Sequence, residues 1–374
     1  MSTAPEGSSQ PIQLLDLTRR ELRELLSRWG EPHYRADQLW RWLYHDLVDD
    51  FEAMTNLPRR LRARLAAETS CRPLKLVDEA VSRDRLARKA LFQLPDGETI
   101  ETVLMLYEER RTVCISTQVG CAIGCPFCAT GQDGFVRNLT PGEIVAQVLH
   151  YARWLADPQA GGEGAAGIER PARVSNVVVM GMGEPLANYE ATWQALETLN
   201  DQQGFALGAR RITLSTVGLV PGIERLSRER LQIGLAVSLH APTDRLRNKL
   251  VPINRRYPLE DLMAACRRYI RRTGRRITFE YALLQGINDS DQQAQLLAKL
   301  LQGLLCHVNL IPVNRVEGSP YLPSSRQRTR SFLRILQEAG ISATVRLRRG
   351  LDIEAGCGQL RRRQARSNGL QPGS

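Results

Sequence analysis

Three cysteines, Cys121, Cys125 and Cys128, fall within the stretch GCAIGCPFCATG. Three thiols suit neither paired disulfides nor a closed structural zinc site, which takes four ligands and usually presents them as two close pairs. Iron–sulfur clusters are held by cysteine thiolates, and a four-iron cluster with three protein ligands leaves one iron open to a substrate or cofactor. The alternative is zinc, with Cys114 or a distant histidine as fourth ligand. An open iron can do chemistry, so the triplet points to catalysis rather than scaffolding.

The elements that would position these thiols can be read from periodicity. The triplet follows an apolar strand pattern, TVCIST, which predicts that it lies at a strand's C-terminal end, the face where barrel enzymes assemble their sites. Six more strand patterns follow, VSNVVVM, RITLSTV, IGLAVSLH, RITFEYALL, HVNLIPV and ATVRL, with helical patterns between them. Such alternation predicts a parallel α/β sheet or an open barrel. Ahead of it, residues 12 to 75 read as a small helical domain. There Thr18 and Glu21 form a capping-box pattern, Leu22, Leu25, Leu26 and Trp29 follow at helical spacing, and Gly30 ends the run. RADQLWRWLYHDL predicts a second helix, whose Trp40, Trp42 and Tyr44 are expected in the core rather than as base-stacking platforms. KALFQLPDGETIETVLML predicts a hairpin about Pro95, Asp96 and Gly97.

Composition bounds the class. A chain of 374 residues with 43% hydrophobic and 24% charged residues is expected to fold into about two domains. The start, MSTAPEGSSQ, lacks the pattern of a secretory signal, and no apolar stretch reaches the roughly 18 residues needed to span a bilayer. A cytoplasmic location is the expectation. In that compartment the eight cysteines are ligands, catalysts or buried thiols rather than a disulfide framework.

A formal charge of +11 makes a polyanionic partner credible. Seven arginines lie between Arg346 and Arg366 against Asp352 and Glu354, and a second group runs LPRRLRARL from Leu57 to Leu65. The guanidinium fork suits phosphate, so Arg361, Arg362 and Arg363 are candidate contacts for such a partner. Either run also reads as a solvated helix face or tail. Residues 157–173 read as a low-complexity loop.

Smaller motifs complete the set. GMGEP, 181–185, follows the strand ending at Met180, so its backbone can approach a ligand without side-chain interference. Ser215, Ser238 and Asn314 stand at strand ends, where convergent polar groups suit a ribose and a carboxylate. His240 fits the same set but on its own reads as a structural histidine. Cys357 lies between Gly356 and Gly358 beside the arginine run, where positive charge favours a thiolate. Cys114, in the first barrel strand, reads by itself as a small buried hydrophobe, and Cys71, Cys266 and Cys306 are left structural.

Cys-x3-Cys-x2-Cys with an aromatic, Phe127, just before the last cysteine is the signature of the radical S-adenosylmethionine (radical SAM) superfamily. Within it, GCAIGCPFCATGQDGFVRNLT resembles the bacterial dual-specificity RNA adenine carbon-2 methyltransferases. Further blocks match that family in order: QLLDLTRRELRELL, PHYRADQLWRWLY, IETVL, VVVMGMGEPLANY, ITLSTVGLVPGI, AVSLHAPTDRLRNKLVPINRRYPL, the variant VNLIPVN, and GLDIEAGCGQL. The likeness runs from about residue 12 to 360; the Gly-rich stretch 157–173 and the arginine-rich tail after Leu360 depart from it.

The resemblance implies an α/β fold, a partial (β/α)6 radical-SAM barrel with a small N-terminal helical accessory domain. It divides the chain into a helical accessory RNA-binding domain at 12–75, a linking β-hairpin region at 76–106, the radical SAM core at 107–352, and a catalytic-cysteine loop with a basic tail at 353–374. Cys121, Cys125 and Cys128 would hold one [4Fe-4S] cluster. Gly183, Glu184, Ser215, Ser238, Leu239, His240 and Asn314 would bind S-adenosylmethionine, consumed two per turnover.

By the same resemblance Cys357 carries the methyl group, Glu101 takes the carbon-2 proton, and Cys114 attacks the Cys357 sulfur to free the product and leave a disulfide. Carbon 2 of adenine is electrophilic with an inert C–H bond, so a radical route from a methyl on Cys357 through a covalent RNA adduct has a chemical logic. The implied substrates are 23S ribosomal RNA in its peptidyl-transferase region and transfer RNA next to the anticodon, with the adenine unstacked. An external one-electron reductant, a disulfide reductant and a monomeric state are expected. A relative methylating carbon 8 and a non-catalytic zinc-containing RNA-binding protein are the competing readings.

Overall fold

The computed structural model describes residues 11–157, 173–314, 319–346 and 349–360. Arg361, Arg362 and Arg363 lie outside these residues, as does most of the 157–173 stretch; of the C-terminal arginines only Arg346 and Arg349 fall within them.

The N-terminal helices form where the capping pattern predicts. Helix α1 (Arg19–Arg28) starts with a reciprocal box: Thr18 Oγ1 accepts from the Glu21 N–H at 3.2 Å and the Glu21 carboxylate accepts from the Thr18 N–H at 2.8 Å. Helices α2 (Tyr34–Tyr44) and α3 (Arg59–Glu68) pack beside it, with Trp40 and Tyr44 buried and Trp42 partly so. Polar contacts tie this unit to the rest of the chain, since Asp16 accepts from the Gly142 N–H at 2.8 Å and Arg153 donates to the Leu47 carbonyl at 2.8 Å. In the arginine run on α3, Arg59 and Arg60 are exposed, whereas Arg64 pairs with Glu68 and lies over the Trp29 ring.

Ten strands form one continuous sheet. Strands β1 (Lys75–Val81), β2 (Ala87–Gln93) and β3 (Thr99–Leu106) are antiparallel, with the β2–β3 hairpin turning through Pro95, Asp96 and Gly97. Next comes β4 (Arg111–Cys114), then a small separate hairpin, β5 (Gln118–Gly120) with β6 (Phe135–Asn138), which brackets the cysteine triplet. The chain continues as α4 (Pro141–Ala156), β7 (Asn176–Val179), α5 (Tyr189–Asn200), β8 (Ile212–Thr216), α6 (Val220–Leu226), β9 (Gly234–Ser238), α7 (Asp244–Leu250) and α8 (Leu259–Thr273). It closes with β10 (Ile277–Leu283), α9 (Asp291–Leu301), β11 (Cys306–Pro312), α10 (Arg326–Glu338) and β12 (Ala343–Val345).

Strands β4, β7, β8, β9, β10, β11 and β12 pair in that order, all parallel, and they are the seven strand patterns read from the sequence. The expected radical-SAM barrel is therefore present as six strands and a short seventh, with β1–β3 extending the same sheet at its other edge.

Burial alternates along the barrel strands with the period of two that a pleated strand imposes. Val177, Val179, Ile212, Leu214, Val308 and Leu310 belong to the core, while Thr213, Ser215, Thr278, His307 and Asn309 on the other face stay half-exposed. The inner face thus lines an open lumen. Among the described residues no helix is long and apolar enough to cross a membrane.

Candidate active site at the C-terminal ends of the barrel strands

A single cavity at the C-terminal ends of the strands is lined by Cys121, Cys125 and Cys128 together with Gly183, Glu184, Ser215, Ser238, His240, Asn314 and Cys357. The triplet sits in the loop between β5 and a helical turn at Ala129–Gln132. Burial pushes the Cys121 thiol up to about 12 and raises Cys125 well above the ordinary thiol value, the neighbouring thiols adding to both shifts; Cys128 moves the same way. Thiols placed like this become thiolates only against positive charge, and a soft sulfur donor set is what iron–sulfur clusters take. No group of three or more His, Cys, Asp or Glu side chains among the described residues is arranged to hold a single metal ion. A cluster that puts each thiolate on a different iron does not need such convergence.

Beside the triplet, Gly183 has φ +101°, and a Cβ there would lie 2.6 Å from the Gln118 side chain, so only glycine allows the turn. Gln118 in turn accepts from the Glu184 N–H at 2.8 Å. The Glu184 carboxylate accepts from the N–H groups of Leu186 and Val217, at 3.0 and 2.8 Å. Burial nevertheless outweighs these bonds and pushes Glu184 up to about 7, which makes it a receptive partner for a ligand ammonium.

Ser215 and Ser238 place their hydroxyls 3.4 Å apart at the ends of β8 and β9. His240 has φ +60°, a strained setting of the kind that collects at functional sites. Its Nδ1 accepts from the Ala282 N–H at 3.0 Å, and burial depresses it to about 3, so the ring is neutral and offers Nε2–H as a donor. The Asn314 Oδ1 is buried with no hydrogen-bond partner among the described residues, an acceptor awaiting a donor. Thiols, carboxylate, ring N–H and orphaned amide oxygen together fit an iron–sulfur cluster with S-adenosylmethionine beside it. Leu239 is the exception: its side chain is core, and only its backbone takes part, donating to the Glu280 carbonyl at 3.0 Å.

The loop bearing Cys357 is strapped over the triplet. Ala129 N–H donates to the Gly358 carbonyl at 2.8 Å, and Thr130 Oγ1 donates to the Leu360 carbonyl at 2.6 Å. A Cβ at Gly356 would overlap the Asn314 side-chain amide, so the loop rests directly on the cavity wall. Cys114, on β4, is buried outside the cavity lining; burial pushes its thiol up to about 12, with the charge of Cys357 adding and that of Arg346 opposing. Arg346 is held firmly protonated, chiefly by Cys357. The cation facing Cys357 is thus Arg346, at the end of β12. All eight cysteines are free thiols.

Glu101, buried on β3, also lies outside the cavity lining and is ion-paired with Lys89 at 3.0 Å. Sequence reasoning missed Lys89 and Arg247, and named Arg346 only as one of the seven arginines in the C-terminal run. Arg247, fully buried on α7, donates to the carbonyls of Leu239 at 3.1 Å, Val217 at 2.5 Å and Ser238 at 3.2 Å, and to Asn254 Oδ1 at 2.7 Å. It clamps the ends of β8 and β9, which carry Ser215 and Ser238, and the loop that carries His240. Its partners are mostly main-chain carbonyls, which leave no mark in a sequence.

Residues 12–71 match the family model of the ribosomal RNA large subunit methyltransferase N-terminal domain, and residues 164–297 match that of the radical SAM superfamily. A Chloroflexus aurantiacus protein named "Probable dual-specificity RNA methyltransferase RlmN" is 54% identical over 354 residues, 93% of this chain and 92% of its own length. A Moorella thermoacetica protein of the same name is 50% identical over 353 residues, covering 94% and 97%. The crystal structure of a radical SAM methyltransferase from Sphaerobacter thermophilus matches with a TM-score of 0.89 at 54% identity, over 94% of this chain and 99% of that one. The chain therefore belongs to the RlmN family of dual-specificity RNA methyltransferases, within the radical SAM superfamily, which uses S-adenosylmethionine and an iron–sulfur cluster.

Proposed function

We propose that this enzyme adds a methyl group to carbon 2 of adenine, in the peptidyl-transferase region of 23S ribosomal RNA and next to the anticodon of transfer RNA, by way of methylated Cys357 and a covalent RNA adduct. The observation that carries the proposal is that Cys357 and Arg346 line the same cavity as the cysteine triplet, with the charges of both acting on the buried Cys114 thiol.

In this reading Cys121, Cys125 and Cys128 hold a [4Fe-4S] cluster. Glu184 receives the ammonium of S-adenosylmethionine in the turn that Gly183 permits, while Ser215, Ser238, His240 and Asn314 address its polar groups and the Leu239 backbone holds their loop in place. Bound together, cluster and cofactor supply one-electron cleavage of a sulfonium and hence abstraction of a hydrogen atom. The Cys357 thiolate, formed beside Arg346, would first attack the methyl carbon of one S-adenosylmethionine, taking the methyl group and expelling S-adenosylhomocysteine. Once a hydrogen atom is taken from that methyl, the carbon adds to the adenine. The adduct radical must also give up its unpaired electron, for which the cluster would be the acceptor, and Glu101 accepts the carbon-2 proton, with its burial keeping water from competing. Cys114 then attacks the Cys357 sulfur; the new S–S bond replaces the S–C bond, and the released carbon takes up a proton to become the product methyl. Two S-adenosylmethionine molecules are used per turnover.

Nucleoside analysis tests this. Anaerobically reconstituted enzyme, given S-adenosylmethionine, a reductant and either RNA, should yield 2-methyladenosine by mass and retention. The carbon-8 isomer would move the reading to the other carbon, and the absence of any methyladenosine would overturn it.

A further inference from the structure

The barrel lumen is open at its other end as well. A second cavity of about 420 Å³ occupies the N-terminal ends of the strands, with Thr112, Thr213, Thr278, His307 and Asn309 on its walls. Its size falls in the range of about 300–1,000 Å³ usual for small-molecule pockets. Met180, Glu280 and Arg346 line this cavity and the active-site cavity alike, so the two meet at a waist formed by these three side chains.

Cys114 lines neither cavity but is buried beside the floor cavity's wall. It lies two residues beyond Thr112 on β4, hence on the same face, and it pairs with Val178, which lines the floor cavity. Cys357 faces the active-site cavity above it. A disulfide between them would present the Cys114 sulfur toward the floor and the Cys357 sulfur toward the mouth. Thiol–disulfide exchange proceeds with attacking, attacked and leaving sulfurs in line. With Cys357 on the mouth side, that alignment favours attack on Cys114 from below.

We infer that the floor cavity is the entrance by which a small dithiol reaches Cys114 and resets the enzyme while the mouth is left to RNA. The inference rests on the proposed Cys114–Cys357 disulfide. One thiolate of the dithiol attacks the Cys114 sulfur, the S–S bond breaks, and its electron pair leaves on Cys357. The second thiol of the reagent then displaces Cys114, which takes up a proton, and the dithiol departs oxidised as its cyclic disulfide.

The test uses reconstituted holoenzyme and dithiothreitol. Thr278→Trp and, separately, Thr213→Trp narrow the floor cavity without touching the active-site cavity. Pre-reduced variants should give the wild-type burst of about one methylation per enzyme. Their steady-state turnover should fall tenfold or more, and disulfide-linked enzyme should accumulate by thiol alkylation and mass measurement. Unchanged steady-state turnover, or burst and steady state slowed alike, would overturn the route. If both variants fail to fold, oxidised wild type still decides: excess RNA should leave its reduction by dithiothreitol within twofold, and a block by RNA would place the entrance at the mouth. Peptide mapping that finds no Cys114–Cys357 disulfide would instead defeat the underlying mechanism, an outcome distinct from a wrong route.

Discussion

The Lys89 ammonium sits 3.0 Å from the Glu101 carboxylate, with the two side chains only 7% and 1% exposed. The same ammonium donates to the Glu354 carbonyl at 3.3 Å, three residues before Cys357. One cation therefore joins the group proposed to take the substrate proton to the loop proposed to carry the methyl. Lys89→Met strands a buried carboxylate and should cost about 3 kcal/mol of stability. Adding Glu101→Gln should restore part of the loss, giving a coupling above about 1 kcal/mol in a urea-unfolding cycle. Strictly additive effects would show that the pair is not a unit.

The two auxiliary cysteines should fail in opposite ways. Cys357→Ala has no thiol to carry methyl and should give neither methylated RNA nor a covalent complex. Cys114→Ala should accumulate RNA crosslinked through Cys357, a slow band on a denaturing gel that ribonuclease collapses, and the double variant should show none. Full turnover by Cys114→Ala would end this division of roles.

Replacing Cys121, Cys125 or Cys128 with Ala should abolish the cluster's absorption and iron content and, with them, production of 5′-deoxyadenosine. In the wild-type protein the thiols are held protonated by burial, Cys121 up to about 12, so loading must release protons. Reconstitution should therefore become more complete as pH rises from 7 to 9. A loading curve flat across that interval would contradict the burial argument.

Glu184 makes a second pH-dependent case. Its folded-state value is raised from 4.5 to about 7, so below 7 the carboxyl is mostly protonated and an ammonium must first drive the proton off. Affinity for S-adenosylmethionine should rise with pH, up to about tenfold per unit, and level off above 7. Glu184→Gln should bind weakly with no such slope. By the same linkage, the free protein loses stability from this group as pH rises from 4.5 through 7, because over that interval the folded state binds more protons than the unfolded state.

Arg247→Lys keeps the charge but loses the fork that spans three carbonyls. Leaving buried carbonyls unmet should destabilise the protein by about 2 kcal/mol and weaken S-adenosylmethionine binding roughly tenfold. Isothermal titration alongside thermal unfolding separates the two effects. Unaltered affinity with lowered stability would make Arg247 purely structural.

The local features were legible because they are local. A capping box spans Thr18 to Glu21, and the seven parallel strands announce themselves by apolar runs between helical patterns. Chain order alone places a strand's end next to the loop that follows it. That is how Cys121, Cys125, Cys128, Glu184, Ser215 and Ser238 could be expected on one face before any coordinates, and all of them line one cavity.

Relationships between distant segments were not legible, since periodicity describes a residue's face and not its neighbour. The arginine run predicted positive charge near Cys357, yet only the fold singles out Arg346, brought there because β12 lies at the open edge of the barrel. Only the register of β3 against β2 and the docking of the Cys357 loop bring Lys89 to both Glu101 and Glu354. Arg247 carries no sequence mark because the carbonyls it binds are common to every residue. By itself the sequence determined which chemical groups the protein owns and the strand ends that hold them; the tertiary structure decided which of them meet, because burial, charge pairing and loop docking depend on how the sheet curves into an open barrel.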